Sequence, residues 1–74
     1  MRGNMRSERE RRGLTTEEVA KEVGVHKNAL QRWERGESEP LASGIVRLAK
    51  FYEVSVEYLL EQTDDPHAAV IPKI

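Results

Sequence analysis

Residues 14–36, LTTEEVAKEVGVHKNALQRWERG, decide the fold. Thr15-Thr16-Glu17-Glu18 has the form of a capping box, with Thr15 as N-cap and Glu18 reaching back from the N3 position. Leu14 before that cap and Val19 at N4 can close a hydrophobic staple. Val19, Ala20 and Val23 share one helical face, and Gly24 suits a left-handed helix end. The spacing therefore predicts a short helix from Thr16 to Val23. Val25 and Leu30 repeat the staple around His26, which stands at the N-cap of a second helix running to Arg35 before Gly36. Histidine is a poor cap beside Ser or Thr, so this second start is signalled less cleanly. Two short helices joined by Gly24-Val25-His26 make a tight helical corner.

Downstream, Pro40 closes the polar turn Gly36-Glu37-Ser38-Glu39, and the next helix is expected just after it. Leu41, Ile45, Leu48, Ala49 and Tyr52 fall at i, i+4, i+7, i+8 and i+11, the spacing of a buried stripe. Gly44 within it marks either a close backbone approach or a frayed first turn. Val54 and Leu59 form a third staple around Ser55, the cap of a last helix of about one and a half turns. Upstream, Asn4 is expected to cap a helix from Met5 to Arg12. Only Met5 is strongly apolar there, and the mixed charges from Arg6 to Arg12 suit i,i+4 pairing. The expected core holds Val23, Val25, Leu30, Trp33, Ile45, Leu48, Leu59 and Leu60.

The fold class is all-α, with five helices in one domain over residues 1–62. Beyond Gln62 the periodicity stops. Residues 63–74 form a tail with three open readings: a disordered segment, a strand contacting a partner chain, or the start of something missing. At 74 residues there is no room for a separate catalytic domain. The absence of cysteine excludes a disulfide framework and a thiolate zinc site. No apolar run approaches a signal or membrane segment, so a cytoplasmic location is the default expectation.

Charge is unevenly spread. Residues 1–35 carry nine Lys/Arg against six Asp/Glu (+3), and residues 36–74 carry three against seven (−4), which recovers the net −1. A basic first half suits a protein that turns one side to a polyanion.

Three segments together resemble a known family. Leu14 to Val25 looks like the second helix and turn of the lambda-repressor-like, Cro-type (XRE) helix-turn-helix family. Leu30-Gln31-Arg32-Trp33-Glu34-Arg35-Gly36 resembles the end of its recognition helix, and Leu48 to Leu60 its closing two helices. The resemblance spans residues 4–61 and implies a compact five-helix domain whose second and third helices read DNA. By position it implies that Lys27, Asn28 and Arg32 face bases, with Gln31 reaching a base or a phosphate. Lys and Arg donate to guanine O6 and N7, and Asn pairs with adenine N6 and N7. Thr16 and His26 are the expected phosphate contacts. Thr16 stands where the family commonly has Gln, and its reach is shorter. The resemblance further implies a salt bridge between Arg9 and Glu34, at least partly buried. It also implies a first helix richer in apolar residues than Glu8, Glu10 and Arg12 provide.

The expected function is a sequence-specific DNA-binding transcriptional regulator, a repressor of bacterial or phage type acting on double-stranded DNA as a homodimer. The alternative is an antitoxin or regulator-partner protein whose main role is binding another protein. Catalysis is not expected. The carboxylates alternate with Lys and Arg as solubilising charges do, no phosphate-binding glycine loop is present, and His26 and His67 share no ligand motif. No cofactor, metal or membrane contact is expected.

Overall fold

The local signals of the central stretch form as hydrogen bonds. In the computed structural model, which describes residues 2–67, Thr15 Oγ1 accepts from the Glu18 amide at 3.1 Å. Glu18 Oε1 in turn accepts from the Thr15 amide at 2.9 Å. The described residues form α1 (Gly3–Arg11), α2 (Thr16–Val23), α3 (Lys27–Arg35), α4 (Ala42–Tyr52) and α5 (Val56–Leu59), with no strand among them. The capping box opens α2, and Gly24 ends it in the left-handed region at φ 73°. His26 Nδ1 accepts from the Asn28 amide at 3.1 Å and opens α3, while Ser55 Oγ accepts from the Tyr58 amide to open α5.

The core sits where these helices meet. Val19, Ala20 and Val23 of α2, Leu30 and Trp33 of α3, and Ile45, Leu48 and Tyr52 of α4 form one buried cluster. Leu59 and Met5 close the remaining sides. Each such side chain contributes about 1.5–3 kcal/mol on burial. Val25 and Leu60, expected in the core, are half-buried against its edge. α4 packs on α2 and α5, and α1 packs on α3 and α5.

Two sequence expectations need correction. Asn4 does not cap α1. The helix starts one residue before it, the preceding Arg2 gives no side-chain cap, and Asn4 Nδ2 donates instead to the Tyr58 carbonyl at 2.9 Å. The missing cap comes from far along the chain: Glu61, itself left-handed at φ 64°, accepts from the Asn4 amide at 2.7 Å. Such a carboxylate also complements the positive end of the helix dipole. Leu41 is not part of the buried stripe. It is the N-cap of α4 and 70% exposed, because the stripe begins only once the chain turns helical after it.

The mixed charges of α1 pair as their spacing predicts, Arg6 with Glu10 and Glu8 with Arg12, but one carboxylate of the set lies inside the domain. Glu8 is only 3% exposed. Its carboxylate takes Arg12 Nη1 at 2.7 Å, Arg11 Nη2, and the Tyr58 hydroxyl at 3.3 Å. Arg12 continues to the Tyr52 carbonyl at 2.8 Å and lies over the Tyr52 ring, 5.0 Å from its centroid. Burial pushes the Glu8 carboxyl up, but hydrogen bonds and charge from Arg12 and Arg11 outweigh it and hold the group below its ordinary value.

Of the two readings of Gly44, the close approach holds. Gly44 is buried against Trp33. At the C-terminal side, the Ser55 amide donates to the Pro66 carbonyl at 2.7 Å, so the chain after α5 folds back on that helix's start. Residues 68–74, most of the expected tail, lie outside the described residues.

Candidate nucleic-acid interface

The helical corner is built from three adjacent residues. Gly24 turns left-handed, the Val25 amide returns to the Ala20 carbonyl at 3.0 Å, and His26 caps α3. Arg47 of α4 braces it, with Nη1 3.5 Å from the Val23 carbonyl. A Cβ at Gly24 would stand 3.2 Å from that same nitrogen.

α3 is two-sided. Leu30, Trp33 and Glu34 are buried, whereas Lys27, Asn28, Arg32 and Arg35 are exposed. Asn28, Arg32 and Arg35 follow one another at i, i+4 and i+7 and so line one face, with Lys27 and Gln31 in the neighbouring row. The Arg32 side chain has no ionic or hydrogen-bonding partner among the described residues. Lys27 Nζ lies 3.8 Å from Glu17 of α2, an exposed and therefore weak pair. Such a side chain is free to leave for a stronger anion.

Thr16 and Gln31 are brought together: Gln31 Nε2 stands 3.5 Å from Thr16 Oγ1, at the long limit of a hydrogen bond. They sit on the wall of a cleft of about 480 Å³ between α1, the start of α2 and the end of α3. Three arginines, Arg6, Arg9 and Arg35, line the same cleft. Arg9 is committed inward. Its Nε and Nη2 donate to the two carboxylate oxygens of Glu34 at 2.9 and 3.1 Å, and its Nη1 donates to the Leu14 carbonyl. The side chains of this pair are 15% and 6% exposed, and the Glu34 carboxylate holds the Arg9 guanidinium above its ordinary value. Arg6 and Arg35 are exposed, paired only at the surface with Glu10 at 3.2 Å and Glu37 at 3.9 Å. His26 is exposed at the corner with Nδ1 occupied by its capping bond, which leaves Nε2 to meet an external group.

Sequence reasoning missed Arg6 and Arg35 at the cleft. The spacing of Arg35 from Arg32 was a usable signal for one of them. It also missed Arg2. Nothing local marks residue 2, yet Arg2 is buried and bonds the far end of α3. Among the described residues no helix is long and apolar enough to cross a membrane, and no group of three or more His, Asp or Glu is placed to hold a metal ion.

Known proteins place the corner in context. The Helix-turn-helix family model matches residues 5–59, which takes in α2, α3, α4 and α5 and most of α1. The chain is 36% identical over 66 residues to the uncharacterized HTH-type transcriptional regulator YobD of Bacillus subtilis (strain 168), covering 89% of this chain and 59% of that protein. It is 37% identical over 60 residues to the cryptic phage CTXphi transcriptional repressor RstR of Vibrio cholerae, covering 81% of this chain and 54% of that one. The chain thus spans little more than half the length of these curated relatives. No solved structure is significantly similar to it. The matching family is a DNA-binding one without enzymatic activity. With its corner at α2 and α3 and the family match over most of its length, the chain belongs to the lambda-repressor-like helix-turn-helix family of transcriptional regulators.

Proposed function

We propose that this domain reads an operator as a repressor, two copies binding a pseudo-palindromic site in cytoplasmic DNA. The observation that carries the reading is the outer face of α3, where Asn28 and the unpaired Arg32 stand exposed beside Lys27 while the opposite face is locked in the core. A helix presented side-on fits the major groove, and its N-terminal residues reach base edges. Lys27, Asn28 and Arg32 are the base-reading set, with Gln31 beside them. Thr16 and His26 contact phosphates, and the arginine-lined cleft next to Thr16 offers Arg6 and Arg35 to the same backbone. Phosphate contacts set the register, and base contacts set the sequence.

One such domain spans few base pairs, so affinity comes from two copies on half-sites one turn apart, about 34–36 Å. The partly buried apolar residues around α5, Val54, Val56 and Leu60, are the surface offered to the second copy.

The test is selection of bound sequences from a random duplex library at about 150 mM salt, where non-specific binding is weak. Native protein is compared with Arg32→Ala. A symmetric motif, blurred at one position by a substitution that costs about 1–3 kcal/mol, is the expected result. Equal loss on specific and random DNA would make Arg32 a phosphate contact. No enrichment at any protein concentration would overturn the reading in favour of a protein-binding role.

A further inference from the structure

We propose that Arg2 is a positioning residue for base reading, an anchor that sets the angle at which α3 is presented. The inference rests on the DNA-reading role proposed above.

Arg2 lies outside the family match, which begins at residue 5, and bonds the opposite end of α3 from Lys27 and Asn28. Its backbone N–H donates to the Glu34 carbonyl at 2.8 Å. Its Nη1 donates to the Trp33 carbonyl at 2.7 Å and the Ser38 carbonyl at 2.9 Å, and Nη2 reaches Glu39 at 2.9 Å. The last carbonyls of a helix lack intrahelical partners, and a cation there is favoured by the helix dipole. Arg2 supplies both, and it ties the α3–α4 connection to the same point.

Glu34 is consequently gripped twice from α1's side of the molecule. Arg9 holds its carboxylate and Arg2 its main-chain carbonyl, so the end of α3 is fixed in two directions. The helix is nine residues long, about 13 Å at 1.5 Å per residue. A rigid rod that short passes a shift at its end to its start with little loss. Base-edge hydrogen bonds tolerate only a few tenths of an ångström around 2.7–3.2 Å. Releasing the anchor therefore blurs base contacts made by residues that Arg2 never touches. The guanidinium is buried and both its terminal nitrogens are engaged, so it is not itself a phosphate contact.

The experiment uses the full 74-residue chain as Arg2→Ala, Arg2→Lys and Glu39→Gln. Each is checked for folding by circular dichroism at the assay temperature. Affinity is measured for the selected operator and for random duplex across a salt series. The ratio of the two is expected to fall by about tenfold in Arg2→Ala, comparable to losing one base contact. Arg2→Lys recovers part of it, because an ammonium cannot reproduce the planar fork. Glu39→Gln leaves the ratio unchanged, because that carboxylate is 87% exposed. The slope of log K against log salt is expected to stay at the native value. Equal loss on both duplexes overturns the proposal, as does a slope smaller by about one, which marks a lost phosphate contact.

A second readout needs no DNA. In Arg2→Lys the amide resonances of Lys27 and Asn28 are expected to shift along with those of Gly36 and Glu37. Shifts confined to residues 34–39 would make Arg2 a local brace only and sink the proposal. If native protein selects no operator, the DNA-reading role fails while these resonances still decide whether Arg2 orients α3.

Discussion

The Trp33 ring occupies a notch that exists because residue 44 has no side chain: a Cβ built on Gly44 would lie 2.6 Å from Trp33 Cη2 and 3.1 Å from Cζ3. The same Cβ would stand 3.4 Å from Val25 Cγ1, an ordinary contact, so the clash is with the ring. Gly44→Ala gains about 1 kcal/mol of helix propensity but incurs an overpacking cost of about 1–3 kcal/mol. The expected net effect is a Tm lower by several degrees, with altered emission from the sole tryptophan. A Tm at or above the native value would show that the ring moves aside at no cost.

Arg9 and Glu34 form a two-point bridge that is largely withdrawn from water. Removing one partner of a buried pair leaves the other uncompensated, at about 3–5 kcal/mol. Glu34→Ala is therefore expected to bring this small domain close to unfolding in mild denaturant. The double variant Arg9→Ala/Glu34→Ala should cost clearly less than the two single losses added together. Strict additivity, or a loss below about 1 kcal/mol, would place the pair among ordinary surface bridges.

Acid should loosen α1. The Glu8 carboxyl is held below its ordinary value of 4.5 by Arg12 and Arg11 despite burial. A depressed folded-state pKa gives stability that is complete above the unfolded value and lost as pH falls through the folded one. Thermal stability is thus expected to drop below about pH 4.5, and Glu8→Gln should be less stable at pH 7 yet flatter across the acid range. Glu18, whose carboxyl is lowered by the Thr15 amide and hydroxyl, adds to the drop with the same sign. A Glu8→Gln profile parallel to the native one would remove Glu8 from the acid response.

Tyr52 is buried and its hydroxyl has no hydrogen-bond partner among the described residues. Burial pushes the phenol well above its ordinary range. An unsatisfied buried hydroxyl costs about 1–3 kcal/mol, whereas the ring contacts with Phe51 and Arg12 survive its removal. Tyr52→Phe is expected to leave stability unchanged or raise it. A loss above about 1 kcal/mol in chemical denaturation would mean that the hydroxyl finds an acceptor in solution.

How much of this was legible depends on sequence distance. The capping box at Thr15, the corner at Gly24 and the cap at Ser55 are written in residues three or four apart, and their hydrogen bonds form where the spacing puts them. Trp33 as core followed from its place on an apolar stripe, and the exposed face of α3 from its opposite. The residues that hold α1 could not be read this way. Asn4 has the chemistry of a cap, yet its side chain serves Tyr58 while Glu61 supplies the capping oxygen. Glu8 looks like a solvated charge until Arg12 and Tyr58 close over it, and Arg2 acquires partners only in the assembled domain. Polar residues carry little periodic signal, so a helix that packs through them hides its buried face.

The same contrast bears on the order of assembly. The bond that starts α2 spans three positions, whereas α1 and its C-cap Arg12 are secured to Glu34, Tyr52 and Glu61 across 25, 40 and 57 positions. Contacts that close long loops form late, after the chain has already lost the corresponding entropy. Substitutions at the end of α1, such as Arg12→Ala at its C-cap, should accordingly speed unfolding and leave the refolding rate nearly native, whereas changes at Leu30 slow refolding. On a ribosome, α1 can meet Glu34 early, but it completes its contacts only after Tyr52 and Glu61 have emerged, so the first of these five helices to be made is not the first to be secured.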